Sequence, residues 1–279
     1  MSLFFGDYNF SLFYILLIIL TKIIAYFNSS FKYTVKNYVG KMTIGLVILA
    51  IFSSLGYLIP KINPILYDTQ LLNIDIKIFG TNLVLWVSEN IKNRILIEWF
   101  QINYLLYFFF VFGIILYMII NKKNENNIEF VIFSITFSYL ISYTGYIIFP
   151  ALGPRDPSEE IELAKKLIVI YSNKIEGIFF TPYIRELLNT LEKIKVNAFP
   201  SGHTMLTLVA LSHYKKYANK LFYFLLPIGI SIILATIICR YHYGIDVIAG
   251  IFCFIIVKIT EKKIFNLMLK LKKLINQIA

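Results

Sequence analysis

Two histidines in this chain have neighbours suited to phosphorus chemistry. His242 and Asp246, within "CRYHYGIDVIAG" (239–250), are four residues apart. On a helix that spacing puts both on one face, where an imidazole N–H can meet a carboxylate. The Asp would fix the ring tautomer and leave the other nitrogen free and basic. His203 follows Pro200, Ser201 and Gly202 in "FPSGHT" (199–204). Pro200 suits the first turn of a helix, and Ser201 and Gly202 leave backbone N–H groups there, where phosphate binds well. His203 then sits where it can hand a proton to a leaving oxygen. A third polar stretch, "FPALGPRDP" (149–157), supplies Arg155, and Arg240 precedes His242 by two residues. Either arginine can be an anion ligand or an interface anchor. Singly, each stretch has a plain structural reading as a satisfied His–Asp pair, a polar turn or a snorkelling cation. Together they bring two of the three histidines, one aspartate, two arginines and a helix start towards one pocket.

The elements that must position these groups are read from composition. Of 279 residues, 58% are hydrophobic and 15% charged, with mean hydropathy +0.71. Ordinary globular chains are about 45–50% apolar and about a quarter charged. Apolar runs of about 20 residues recur, long enough at 1.5 Å per residue to cross a hydrocarbon core of about 30 Å. The expected fold is therefore all-α, a polytopic helical membrane protein with about six or seven transmembrane helices. The first run reads as a retained helix rather than a cleaved leader. The net charge of +11 belongs to lysines that orient helices, not to nucleic-acid binding. Cys239 and Cys253 lie in or beside apolar runs and form neither a disulfide framework nor a zinc pattern.

Candidate spans are 8–27, 42–60, 101–121, 128–149, 200–214, 221–239 and 243–260. The lysines of the short connectors (Lys32, Lys36 and Lys41; Lys122 and Lys123; Lys215, Lys216 and Lys220; Lys262 and Lys263) then share one side, the cytoplasmic one. All three polar stretches fall at the opposite, outer ends of spans, where ionisable groups are functional candidates by default. His213, beside Lys215, is expected at the cytoplasmic surface. In the outer connector 61–100, Asp68, Asp75 and Gly80 interrupt the apolar pattern, so it should lie at the interface or re-enter where protein shields it. The stretch "TPYIRELLNTLEKIK" should form a surface helix starting at Thr181-Pro182. The basic tail 261–279 is amphipathic and suits the cytoplasmic leaflet. The chain thus divides into N-terminal helices with the outer loop (1–100), a core carrying the motifs (101–260) and the tail (261–279).

With these residues in view, the sequence resembles the type 2 phosphatidic acid phosphatase superfamily. Pro200-Ser201-Gly202-His203 matches one motif of that family in full, and His242 with Asp246 matches the spacing of another. The family's Lys would fall at Ile148 and its Arg at Thr236, so part of the usual phosphate cradle is altered. "FPALGPR", "RYHYGID" and "LLNIDIKIFGTN" look similar instead to the inositol-phosphorylceramide-synthase-like branch, where the Arg lies two residues before the second His. The resemblance implies a membrane lipid phosphatase or phosphotransferase acting through a phosphohistidine. His242 would be the nucleophile, Asp246 its support and His203 the acid and then base. Arg155, Arg240 and the N–H groups of Ser201 and Gly202 would hold phosphate oxygens. A lysine of the 156–196 loop could replace the missing cation.

No cofactor and no metal is expected. Expected partners are membrane lipids, with a lipid phosphate or phosphodiester as substrate, and no nucleic acid. The expected setting is a bacterial cytoplasmic membrane with the active site on the extracytoplasmic face. A non-catalytic headgroup-binding protein or a carrier is the alternative. Carriers, however, place ionisable groups near the bilayer midplane, often within repeats, and no internal repeat is evident here.

Overall fold

The computed structural model describes residues 33–154, 175–191 and 196–278. Its elements are the helices α1 (Tyr33–Ile62), α2 (Asp68–Phe79), α3 (Leu83–Asn90), α4 (Arg94–Leu105) and α5 (Tyr107–Ile120), followed by α6 (Glu125–Ile148), α7 (Thr181–Leu191), α8 (Gly202–Tyr217), α9 (Asn219–Ile238) and α10 (Gly244–Ile278). Among the described residues the extended pairing is a parallel bridge between Ala151 and Asn197. The fold is all-α. The chain divides into two compact units, 1–51 and 52–279; the bundle and the candidate site belong to the second.

α8 is the central helix and packs on α5, α6, α9 and α10. Lipid is as apolar as leucine, so close packing by small residues and internal hydrogen bonds must hold such a bundle. α8 meets that demand with Gly202, Thr204, Thr207 and Ala210, all buried. Its partners contribute glycines at the contacts. A Cβ on Gly145 of α6 would lie 2.2 Å from Cδ of Pro200, and one on Gly250 of α10 would lie 2.7 Å from the carbonyl oxygen of Ser201.

Among the described residues, α6 and α9 are long and apolar enough to cross a membrane. Counting the bent pairs α2–α3 (67°) and α4–α5 (48°) as one span each brings the number to four. The sequence count of seven included 8–27, outside the described residues, 42–60, now within α1, and the segments now seen as α8 and α10, whereas the α2–α3 stretch was read as too interrupted to span. α8 has 16 residues and is sheathed by other helices. α10 carries Asp246 in its first turn, and Lys258 and Glu261 further along. The tail is not a separate element, because α10 runs unbroken from Gly244 to Ile278.

The connector 61–100 folds into the bent pair α2–α3 and the start of α4. α2 ends at Gly80, whose φ of +71° is the left-handed conformation that glycine adopts without penalty. α3 then starts on Asn82, whose side chain accepts from the N–H groups of Val84 and Leu85. Asp68 and Asp75 are buried. Farther along, α7 begins at Thr181 as expected and buries Ile184 and Leu188. It packs on α4. The Glu98 carboxylate of α4 anchors it by accepting from the N–H groups of Ile178, Phe179, Phe180 and Thr181.

His213 is not at the surface; it is 1% exposed. Two residues along a helix turn about 200°, so the face opposite Lys215 points into the bundle. There Nε2 lies 2.9 Å from Oγ of Ser134, which also donates to Glu261, itself paired with Lys258.

Candidate active site

The three polar stretches meet in space. Ala198 N–H donates to the Ala151 carbonyl at 3.0 Å, joining the first stretch to the residue just before the second. Ser201 N–H donates to the Asp246 carbonyl at 3.0 Å, joining the second to the third. Gly153, with φ +75°, sits at the junction, where a Cβ would lie 2.7 Å from the Tyr241 carbonyl oxygen and 3.0 Å from Cβ of Ala198. No larger residue fits that point without moving backbone.

Asp68 locks the same junction. Its carboxylate accepts from Leu152 N–H (2.9 Å), Gly153 N–H (2.9 Å) and the Tyr243 hydroxyl (3.1 Å). Asp75 accepts from Ile245 N–H at 2.7 Å, serving a donor in the first turn of α10 that has no partner within the helix. Gly244 permits this approach, since a Cβ there would meet Phe79, Asp75 and Leu83 within 3 Å.

The ring of His242 is held by two acceptors. Its Nδ1 is 2.8 Å from the Ala198 carbonyl and 3.3 Å from Oδ2 of Asp246. A carbonyl only accepts, so Nδ1 carries the hydrogen and Nε2 is the basic nitrogen of the neutral ring. The nearer determinant of the tautomer is thus a backbone carbonyl, with Asp246 alongside. Asp246 also accepts from Tyr243 N–H at 2.9 Å, fixing the turn that carries His242.

His203, in the first turn of α8, lies with its ring centre 5.9 Å from that of His242 and the planes at 62°. Tyr104 stacks on His203 at 4.4 Å and 20°, and Tyr107 covers it at 4.1 Å. The stack continues through Tyr241, 4.0 Å from Tyr104, to the Arg185 guanidinium, 5.5 Å from Tyr241. Gln101 donates to the Tyr241 hydroxyl at 2.9 Å. α4 and α5 therefore clamp the imidazole that α8 presents.

Arg240 occupies an unusual backbone position. The N–H of Tyr241 donates to the Thr236 carbonyl and that of Arg240 to the Ile237 carbonyl, at 2.8 and 2.9 Å. This is the Schellman closure of α9, with Arg240 at the left-handed position (φ +61°) where glycine is usual. A non-glycine residue there costs about 1–2 kcal/mol. Such a cost is commonly met at functional sites. Thr236, where the resemblance would place an Arg, is fully buried and its carbonyl closes this turn.

Arg155 lies outside the described residues. The N–H of Ser201 does not await a phosphate, because it is committed to the Asp246 carbonyl. The Ser201 side chain caps α8 by accepting from Thr204 N–H at 3.2 Å. Gly202 is buried where a Cβ would lie 2.5 Å from the Tyr146 hydroxyl and 2.7 Å from Oγ of Ser142, so its lack of a side chain serves packing. Ser201→Ala should therefore cost about 1 kcal/mol as a lost cap. A lower thermal midpoint with unchanged KM would show this, whereas a raised KM at unchanged stability would make Ser201 a ligand.

Fold and site define a helical membrane protein whose polar motifs converge on a histidine pair. The chain belongs to the PAP2 superfamily, whose model matches residues 69–259, more than half of its length. It is also 33% identical over 121 residues to a PA-phosphatase related-family protein of Dictyostelium discoideum. That alignment covers 42% of this chain and 21% of the relative, so the chain spans about a fifth of the length of the curated relative it matches. No solved structure matches the chain significantly. Membership supports phosphatase-type, lipid-related chemistry.

Proposed function

We propose that this protein is a metal-independent lipid phosphatase or phosphotransferase working through a phosphohistidine at the outer membrane face. The observation that carries the reading is the His203–His242 pair, 5.9 Å apart, with Nδ1 of His242 engaged by the Ala198 carbonyl. His242 Nε2 attacks phosphorus; a P–N bond forms and the P–O bond to the lipid breaks. His203 gives its proton to the departing oxygen. In the second half an acceptor oxygen attacks phosphorus, its proton passes to His203 and the P–N bond breaks. Water as acceptor makes the enzyme a phosphatase; an alcohol makes it a transferase. The likeness of "RYHYGID" to the inositol-phosphorylceramide-synthase-like branch favours an alcohol. Arg240, with Arg155 as the resemblance implies, is assigned to the phosphate oxygens as their charge redistributes.

The test is incubation of the purified protein with a lipid phosphate carrying labelled phosphorus, with and without candidate alcohols, followed by rapid quench. Acid-labile, base-stable label on His242 is expected, with product formed in the presence of a chelator. Headgroup binding with neither label nor product would favour the non-catalytic reading.

A further inference from the structure

A cavity of about 340 Å³ opens beside Arg240. Its polar lining is Arg240, Lys92, Arg94, Ser88 and Glu176, three cations against one carboxylate. Apolar residues complete it, among them Ile97 of α4 and Ile238 at the end of α9. Lys92 lies in the connector between α3 and α4 and Arg94 opens α4, a stretch that no motif singled out. Arg94 Nε donates to the Gly177 carbonyl at 3.0 Å, which ties the segment before α7 to the cavity wall. Arg240 is 7% exposed and sits on the costly left-handed backbone described above, two residues from His242. A glycine would close α9 with less strain, so the turn retains a guanidinium where the backbone alone would favour none.

We infer that this cavity is an anion-binding subsite for the phosphate-bearing headgroup of a lipid, in which Lys92 and Arg94 act with Arg240. The inference rests on the proposed function and extends it to specificity. A guanidinium suits a tetrahedral oxyanion through paired N–H donors, and a lysine adds a mobile point charge. Ile97 and Ile238 give the same cavity a surface for the glycerol or chain carbons of a lipid, which inorganic phosphate lacks. Lys92 and Arg94 are exposed, so their attraction for the anion should weaken as salt rises.

The experiment measures binding of short-chain phosphatidic acid, and separately of inorganic phosphate, to detergent-solubilised protein in a His242→Ala background that cannot turn over. Lys92→Gln alters an exposed side chain and leaves packing intact. Arg240→Gly removes the charge while relieving the left-handed backbone, and its thermal midpoint is measured beside its binding. Each is expected to weaken lipid binding about tenfold, the effect of losing one charge-assisted hydrogen bond. In the parent background Lys92→Gln should raise KM with kcat little changed, whereas Arg240→Gly, which also removes a group assigned to the reacting phosphate, should lower kcat as well. Lipid affinity unchanged in both variants would overturn the inference, and so would inorganic phosphate binding as tightly as the lipid. Loss of binding in Lys92→Gln and Arg240→Gly with no turnover by the parent would sink the catalytic reading and leave the subsite standing.

Discussion

His242→Ala is expected to lower turnover of a lipid phosphate by about 10⁶-fold, the scale on which losing a covalent nucleophile registers. The protein should still fold, because the substitution strands only the Ala198 carbonyl and one contact of Asp246, a loss of about 1–3 kcal/mol. His203→Ala should behave differently. General acid–base catalysis contributes about 10²–10⁴-fold, and it matters most when the leaving oxygen needs a proton. With an aryl phosphate, whose phenolate leaves unprotonated, the His203 variant should recover much of its first step while the His242 variant recovers nothing. Rapid-quench measurement of phosphoenzyme with both substrates separates the two roles. A His242→Ala protein that retains turnover of every lipid phosphate tried removes the nucleophile from the scheme.

Asp68→Ala should be the most damaging change outside the histidine pair. Its buried carboxylate accepts three donors, Leu152 N–H, Gly153 N–H and the Tyr243 hydroxyl, from two of the three polar stretches. Alanine leaves all three without this acceptor at a point that is 2% exposed. Uncompensated buried polar groups cost about 1–3 kcal/mol each, so a total of about 3–5 kcal/mol is expected after relaxation. Asparagine should recover only part of this, since its amide turns donors towards donors. Thermal unfolding in detergent reads the stability, and activity below the new midpoint reads the site. Activity should fall even where the protein remains folded, because Tyr243 is joined to His242 and Gly153 abuts Tyr241. A midpoint within a degree or two of the parent for Asp68→Ala would show that the junction is not held this way.

The sequence made some of this visible, for physical reasons. Polar residues at the ends of apolar runs stand out because lipid penalises them, so the stretches around Arg155, His203 and His242 could be picked out. Thr181-Pro182 announced α7 by the same logic of helix starts. Asp68 and Asp75 were visible as interruptions, but their contacts lie across the chain near residues 152 and 245, and spacing carries no sign of that. Tyr104 and Tyr107 were hidden by abundance: with 20 tyrosines and 25 phenylalanines, two rings beside a histidine have no distinguishing mark. The Ala198 carbonyl had no signature because every residue carries one. Ser201 read as an open N–H donor because its partner, the Asp246 carbonyl, is equally anonymous. His213 misled because its neighbours in sequence are basic while its neighbours in space are Ser134 and Phe130.

The hydrogen bond from His242 to Ala198 means that one short length of chain is the datum for both histidine rings. Residue 198 aligns the first imidazole through its carbonyl, and residue 203, five positions on, is the second. If the helices breathe, that ribbon carries the two rings as a gauge block carries its faces, so their separation is insulated from slippage between α8 and α10.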